Sequence, residues 1–373
     1  MTNIHLFSPV KVKDLILPNR IVMPPMALGI AASEGEITPE MLEHYTLRAR
    51  AYHGGCTYDA GQKFAGANTR AGVGLIIVEH AYISEEGQAH PKQLGIYHDR
   101  LLPGLTKLAA KIRSEGAIAG IQINHAGARV LENAVAPSGI PLPFLPRRSR
   151  QLSQNQEDGP GKAEELYIPF EERPHELTVK EIKELTEKFA LAAARAKKAG
   201  FDLVEIHGAH GYLLNQFLSP LTNRRRDAYG GSLENRLRFP LEVVHAVREA
   251  VGPAYPVFYR LGADDRMEGG LNLEESCRII PLLEDAGVDV IDLSGGLGGY
   301  MKQGPEGFFL YMADAIKPVA RVPVIVTGGI KTPQFADMVI RQGRADLVGI
   351  GRALLADPAW AQKAWLALNG LQF

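Results

Sequence analysis

Helix-period segments, tight glycine turns and short apolar runs alternate along this chain. Four such turns begin alike and lead into apolar residues, at 71–76, 199–204, 286–291 and 343–348. A chain that repeats helix, turn and apolar strand builds parallel βα units. The apolar runs interpreted as strands are Ile21–Met23, Val73–Val78, Ile118–Ile123, Leu203–Ile206, Val257–Tyr259, Val290–Leu293, Val324–Val326 and Leu347–Ile350. The pattern predicts an α/β protein, a (β/α)8 TIM barrel with an N-terminal hairpin, forming a single domain over residues 1–373.

Two long stretches interrupt the alternation and are predicted to be loop insertions. Residues 52–70 carry several glycines where a short turn would suffice, and residues 141–173 are rich in Pro, Gly, Arg and Glu. Loops of this length are usually lids, interface arms or mobile segments. The second follows the C-terminal end of the third strand, which is the catalytic face of such a barrel, and a lid is the hypothesis there. The first lies on the opposite face, where a catalytic role is not expected.

Composition excludes several classes of function. A formal net charge of −1 over 373 residues gives no basic or acidic excess, so neither nucleic acid nor a membrane surface is an expected partner. No apolar run approaches the ~18 residues of a membrane span. The start of the chain lacks the features of a signal peptide, and Cys56 and Cys277 are the only cysteines. We expect a cytoplasmic protein without a metal centre.

The predicted strands end in polar residues, and barrel chemistry sits at these C-terminal ends. Gly328 and Gly329 follow the seventh strand, and Gly351 and Arg352 follow the eighth. Glycines at these two places allow backbone N–H groups to approach an anion, and an arginine adds positive potential. The pattern predicts a phosphate site, which by itself does not choose among phosphorylated sugars, nucleotides and flavin mononucleotide.

Arg260 ends an otherwise apolar strand. A lone arginine inside a barrel requires an anionic partner because an unpaired buried charge is costly. One interpretation is a salt bridge to Glu205 or Asp292. The other is a cation that faces an electron-rich ring, which gains negative charge when it is reduced.

Two histidines and a tyrosine fall within six residues where the fourth strand breaks into a loop. His207 and His210 are placed to hydrogen-bond one carbonyl or phenolate oxygen, and Tyr212 to supply a proton. A metal site is disfavoured because no third ligand of suitable spacing is near, and a structural role remains an alternative. Gln122 and His125 occupy the corresponding place on the third strand, where a planar amide pairs well with a ring edge.

Several segments of the chain resemble the Old Yellow Enzyme family of flavin ene-reductases. The segments are Asn19–Met26, Gln122–Gly127, His207–Pro220 and Arg226–Arg236, and the last two form a long and specific match. The resemblance covers nearly the whole chain apart from the two insertions. It implies a (β/α)8 barrel that binds FMN non-covalently.

The resemblance also implies roles for individual residues. Gln122 would bond the flavin ring edge, and Arg260 would face the N1/O2 side that becomes anionic. His207 and His210 would bind the substrate carbonyl, and Tyr212 would donate the proton. The residues implied to line the flavin or hold its phosphate are Pro24, Pro25, Met26, Ala27, Gly296, Gly328, Gly329, Gly351 and Arg352. Ala27 departs from the Cys or Thr that relatives often carry at this position.

The implied reaction is ping-pong. NADH or NADPH reduces FMN and leaves, and a hydride then passes from flavin N5 to an activated C=C bond of an α,β-unsaturated carbonyl compound. Since no cysteine follows Cys277 and the chain ends at Phe373, we expect electrons to enter directly from the nicotinamide. The physiological substrate, the choice of nicotinamide and a possible homo-oligomer stay open.

Two other functions remain alternatives at this stage. One is a flavin-free, phosphate-binding barrel lyase or isomerase that uses Tyr212 and the histidines. The other is a flavin-binding protein with no ene-reductase role.

Overall fold

The computed structural model describes residues 4–50, 71–130, 133–140, 142–143, 173–299 and 304–371. The insertion predicted at 52–70 lies outside the described residues. So does the insertion at 141–173, apart from residues 142, 143 and 173. Both the lid hypothesis and the single-domain assignment therefore stay predictions.

Eight parallel strands close into a barrel, which confirms the predicted (β/α)8 fold. Their order around the barrel is β10-β11-β12-β3-β4-β5-β8-β9. The strands of the chain are β1 (Val10–Val12), β2 (Leu15–Leu17), β3 (Ile21–Met23), β4 (Leu75–Tyr82), β5 (Ile118–Asn124), β6 (Val135–Ala136), β7 (His175–Glu176), β8 (Leu203–Gly208), β9 (Val257–Asp264), β10 (Val290–Gly295), β11 (Val324–Val326) and β12 (Leu347–Gly349). The short pair β6 and β7 forms a separate two-stranded sheet.

Helices lie between successive barrel strands and cover the barrel. They are α1 (Pro39–Ala49), α2 (Leu102–Ser114), α3 (Val179–Lys198), α4 (Leu213–Leu218), α5 (Leu233–Val251), α6 (Leu273–Asp285), α7 (Leu310–Ile316), α8 (Pro333–Arg341), α9 (Arg352–Ala356) and α10 (Trp360–Leu368). In the part of the chain that is described, no helix combines the length and apolar character needed to cross a membrane.

Local sequence signals fix where these helices begin and end. Thr178 caps α3 through a capping box, in which its hydroxyl accepts from the Glu181 N–H and the Glu181 side chain accepts from the Thr178 N–H. The repeated glycine turns have left-handed backbones, with φ of +86° at Gly200, +111° at Gly287 and +68° at Gly343. Glycine adopts this conformation without a steric penalty, so each helix stops and the chain turns directly into the next strand.

The N-terminal hairpin, formed by β1 and β2, closes the bottom of the barrel. Val12 and Leu17 are buried in an apolar layer with residues from the strand beginnings. These partners are Val22, Leu75, Ile77, Leu203, Phe258, Val290, Ile325 and Leu347. Since the lower end is apolar and sealed, polar side chains that enter the barrel do so from the other end.

Five barrel strands extend beyond the predicted apolar runs. β4 continues to Tyr82, β8 to Gly208 and β9 to Asp264, while β5 and β10 gain one and two residues. The extra residues alternate between the two faces of the sheet: Ala81, Leu261 and Ala263 pack in the apolar core, while polar side chains occupy positions between them. His207, Arg260 and Ser294, which were predicted to follow their strands, therefore lie within them and pair in the parallel ladder.

Phe258→Ala should lower the free energy of unfolding by about 3–5 kcal/mol, because it removes a fully buried ring from the sealed layer and leaves a cavity. Ile16→Ala is the control. Ile16 lies in β2 of the hairpin that covers this layer, but its side chain is 61% exposed, so its loss should change the free energy of unfolding by less than ~0.5 kcal/mol. Denaturant unfolding measures both. A Phe258→Ala loss below about 1 kcal/mol would show that this layer is not a packed plug.

Candidate active site

His207, His210 and Tyr212 lie together at the C-terminal rim of the barrel. The ring centroids of His207 and His210 are 5.1 Å apart with perpendicular planes, and those of His207 and Tyr212 are 5.0 Å apart. His207 is in β8, His210 sits in the loop that follows with a left-handed φ of +58°, and Tyr212 caps α4. The three predicted residues thus form one aromatic group.

Hydrogen bonds fix both imidazoles. Nδ1 of His207 accepts from the Ala209 N–H at 3.2 Å, so in the neutral ring the proton is on Nε2. Nε2 of His210 lies 2.6 Å from Oγ of Ser294 on β10. The backbone of His210 is also held, because its N–H donates to Gly295 and its carbonyl accepts from Arg129.

The surroundings of both histidines favour the neutral imidazole. Burial, and then repulsion from the neighbouring rings of His210 and His80 when these are protonated, lower the pKa of His207 well below its usual range. Burial, and then the Arg260 and Arg129 guanidinium groups, lower the pKa of His210 in the same way. A neutral imidazole with one oriented N–H is a hydrogen-bond donor for a carbonyl oxygen and not a fixed cation.

His80 is a further member of this group whose role sequence reasoning missed. Its ring centroid is 5.2 Å from that of Tyr212, and burial lowers its pKa to about 3. Its Nδ1 is contacted by the side-chain amides of Gln93 at 2.7 Å and Asn124 at 3.3 Å. The only signal in the sequence was its place near the end of a strand. The Arg129 guanidinium completes the surroundings, 5.4 Å from the centroid of the Tyr212 ring.

Gln122 and Arg260 lie inside the barrel, each beside a carboxyl group. Nε2 of Gln122 donates to Oε1 of Glu205 at 2.8 Å, and Nε of Arg260 is 3.3 Å from Oδ2 of Asp292. Nη2 of Arg260 also reaches Oγ of Ser294 at 3.5 Å, so the arginine connects to the histidine group through this serine. The carboxylate partner considered for Arg260 from the sequence is therefore present, and it is Asp292.

The glycines predicted to hold a phosphate form an open cradle on the same rim. A side chain at Gly329 would meet the Phe308 ring at 2.9 Å, and one at Gly351 would meet Sδ of Met26 at 3.0 Å. Gly328 has a φ of +121°, which few other residues adopt. Arg352 begins α9, is exposed, and lies over the Phe308 ring at 5.9 Å. Glycines whose close neighbours leave no place for a side chain and a cation come together here, a combination that suits a bound phosphate group.

The segment after β3 borders this cradle. Pro24 is buried, Pro25 and Met26 are half-buried and Ala27 is exposed. Cγ of Pro24 lies 3.6 Å from where a Gly351 side chain would begin, which places this segment beside the end of β12.

Gly296 differs from the other predicted phosphate glycines. Its N–H already donates to the Asp264 carbonyl at 2.9 Å, and a side chain there would strike the Asp265 carboxylate at 2.2 Å. It contributes space at the end of β10, while its amide is committed to the protein.

Glu79 is a second residue without a role assigned from the sequence. It is fully buried in β4, where Oε2 accepts from the Leu28 N–H at 3.1 Å and Oε1 has no hydrogen-bond partner. Burial raises its pKa to about 8, against a smaller opposing effect of the Leu28 hydrogen bond. Within the described residues no group of three or more His, Cys, Asp or Glu side chains is arranged to hold a metal ion.

The match to a family covers almost the whole chain. The model of the NADH:flavin oxidoreductase / NADH oxidase family matches residues 5–369. The chain is 39% identical over 373 residues to the NADH oxidase of Thermoanaerobacter brockii, an alignment that covers 96% of this chain and 50% of that protein. It therefore spans about half the length of this relative.

A second relative and a solved structure match over nearly their full length. The chain is 36% identical over 371 residues to the NADPH dehydrogenase of Bacillus subtilis strain 168, covering 98% of this chain and 95% of that protein. It superposes on the old yellow enzyme homologue from Zymomonas mobilis with a TM-score of 0.74 at 26% identity, covering 96% and 92% of the two chains.

Glu79→Gln should make the protein more stable relative to wild type as the pH rises from about 4.5 to about 8. The folded state holds the Glu79 proton more tightly than the unfolded chain, so wild type loses about 1.4 kcal/mol for each unit of raised pKa, and the amide does not. Thermal melting from pH 5 to 9 measures the difference. Glu43→Gln, at an exposed position of α1, should show no such trend. A stability difference independent of pH for Glu79→Gln would contradict the assignment.

Proposed function

The chain belongs to the Old Yellow Enzyme family, the FMN-dependent NADH:flavin oxidoreductase / NADH oxidase family, and from this premise we propose that it reduces activated C=C bonds of α,β-unsaturated carbonyl compounds with NADH or NADPH. The observation that carries the proposal is the group of His207, His210 and Tyr212 on the rim above Arg260. It combines two neutral imidazoles, suited to one carbonyl oxygen, with a phenol.

The described residues fit FMN in three respects. Gln122 presents a planar amide and Arg260 a cation at the floor of the site. The segment Pro24–Ala27 provides a wall, and Gly328, Gly329, Gly351 and Arg352 provide backbone without side chains and positive charge for the phosphate. When bound, FMN supplies the hydride that the β-carbon of the acceptor receives.

The protein residues orient the acceptor and handle its charge. The Nε2–H of His207 donates to the carbonyl oxygen, and His210 contacts the same oxygen from a perpendicular ring. These bonds strengthen as negative charge develops on that oxygen, which is how pre-oriented donors lower a barrier. The Tyr212 hydroxyl gives its proton to the α-carbon and regains one from water. Arg129, over the Tyr212 ring, stabilises the phenolate left behind.

The relatives support a nicotinamide as the electron donor, since their names are NADH oxidase and NADPH dehydrogenase. A flavin-free lyase or isomerase conflicts with membership of an FMN family and is set aside. A flavin-binding protein without ene-reductase activity is the remaining alternative, and the following experiment decides between the two.

The purified protein should release about one FMN per chain on denaturation, and NADH or NADPH should bleach its flavin absorbance anaerobically. Mixing the reduced protein with a panel of enones, enals, maleimides and nitroalkenes should restore the absorbance and yield saturated products. Release of FAD would contradict the cofactor site. Bound FMN that no acceptor reoxidises would favour the flavin-binding alternative.

Tyr212→Phe should slow only the step with the enone, by up to ~10²–10⁴-fold, because it removes the proton donor and keeps the ring. Phenol binding and flavin reduction should survive. Rapid mixing separates the two half-reactions. Tyr255→Phe is the matched control, since this tyrosine donates to Phe201 at the opposite end of the barrel.

Replacing both His207 and His210 by Ala should affect phenol binding as well as the enone step. Loss of the two donors should abolish the charge-transfer band of bound 4-hydroxybenzaldehyde and slow the enone step by about 10²–10³-fold for each donor. If Tyr212→Phe loses phenol binding while the histidine variant keeps it, the roles of the tyrosine and the histidines must be exchanged.

A further inference from the structure

Four polar side chains from four adjacent barrel strands form a closed group in the interior. We call Gln122, Glu205, Arg260 and Asp292 the inner polar cluster. They come from β5, β8, β9 and β10, which are neighbours in the barrel, and their exposed fractions are 1%, 0%, 6% and 0%. Sheet register places Gln122 beside Glu205 and Arg260 beside Asp292. The barrel itself therefore forces two carboxyl groups and one arginine into its buried interior.

If both acids of this cluster are ionised, there are too few hydrogen-bond donors for their carboxylate oxygens. Gln122 donates to Oε1 of Glu205, but Oε2 of Glu205 and both oxygens of Asp292 have no hydrogen-bond donor. Arg260 approaches Asp292 at 3.3 Å, which is an ion pair without a well-aligned hydrogen bond. Two negative charges against one positive charge would also leave a net charge in the barrel, and that is costly.

One proton removes both problems. The side chains of Glu205 and Asp292 lie within hydrogen-bonding reach of each other. A proton held between the two carboxyl groups therefore gives each acid a partner, as in other pairs of carboxyl groups that share a site. The cluster then carries one positive and one negative charge and is neutral overall. Gln122 still donates to Glu205, and Arg260 still pairs with Asp292.

We propose that Glu205 and Asp292 share a single proton and act as a positioning pair for Gln122 and Arg260, the residues assigned to the flavin under the proposed function. The pair fixes the direction of the amide and limits the negative charge beside Arg260 to one. The guanidinium thus keeps enough positive potential to favour a flavin that gains negative charge on reduction.

The directions of the pKa shifts in and around the inner polar cluster agree with a shared proton. Burial, and then the Asp292 charge, raise the pKa of Glu205 well above its usual range. Burial raises the pKa of Asp292 to about 6 although Arg260 opposes it. The other titratable groups near Arg260 are His80, His207 and His210, and burial lowers the pKa of each. Arg129 is the other cation near those rings.

Amide substitutions distinguish a shared proton from two independent carboxylates. In a sharing pair, Glu205→Gln and Asp292→Asn each leave one ionised acid and one neutral donor, so the charge beside Arg260 is unchanged. Only the double variant removes that charge. With two ionised acids, each single variant would already change the charge, and the effects would add.

The measured quantity is the ratio of the dissociation constants of oxidised and reduced FMN, obtained from binding and potentiometric titrations of the holoenzyme. Each single variant should keep this ratio within about threefold of wild type, and the double variant should raise it about tenfold or more, because an uncompensated cation a few ångströms away attracts the reduced form. Equal and additive changes in the two single variants would overturn the proposal. Glu275→Gln, which removes the partner of the buried Arg236 outside the barrel, should leave the ratio unchanged.

Infrared spectroscopy tests the proton without reference to the flavin. The difference spectrum between wild type and Glu205→Gln should show the loss of a protonated carboxyl C=O band, distinct from the band that Glu79→Gln identifies. Absence of any such band would overturn the inference even if FMN binds. A protein without FMN would instead contradict the proposed function, while the infrared result would still report the shared proton.

Discussion

The buried guanidinium of Arg260 is the constraint on which the rest of the site depends. Arg260 lies in β9 inside a barrel whose lower end is sealed by an apolar layer. Because an unpaired buried charge is costly, the neighbouring strands must supply an anionic partner for it. Asp292 forms an ion pair with Arg260. The Ser294 hydroxyl contacts both the Arg260 guanidinium and the His210 ring and so links the two residues. The charge also opposes protonation of the histidines above it.

This single cation has consequences on two sides. Towards the rim, burial together with Arg260 lowers the pKa of His207 and His210 and favours uncharged imidazoles, which suit a carbonyl oxygen. Towards the interior, the proposed shared proton limits the two acids to one negative charge, which balances Arg260. A flavin that becomes anionic on reduction suits such a place, and an acceptor that becomes enolate-like suits the imidazoles. The electrostatics of the floor and of the rim thus favour the same direction of electron flow.

Much of this was predictable from the sequence because barrel chemistry lies where strands end. The repeat predicted the barrel, and Arg260, His207, His210 and Tyr212 were identified by their position in it. The contact of Glu205 with Asp292 was not, since it joins two strands, β8 and β10, that lie on either side of β9 and are far apart in the chain. His80 was missed for a similar reason, because its contact with Tyr212 joins the first part of the barrel to its middle. The resemblance supplied the cofactor, which the glycine pattern alone left open.

The most direct test of the central claim is the charge state of the rim histidines. In protein labelled with ¹⁵N-histidine, the ring nitrogen shifts of His207 and His210, assigned by single replacements, should remain those of neutral imidazole from pH 5 to 8, with the proton of His207 on Nε2. Protonation of either rim histidine with a midpoint near its usual value of ~6.5 would contradict the account.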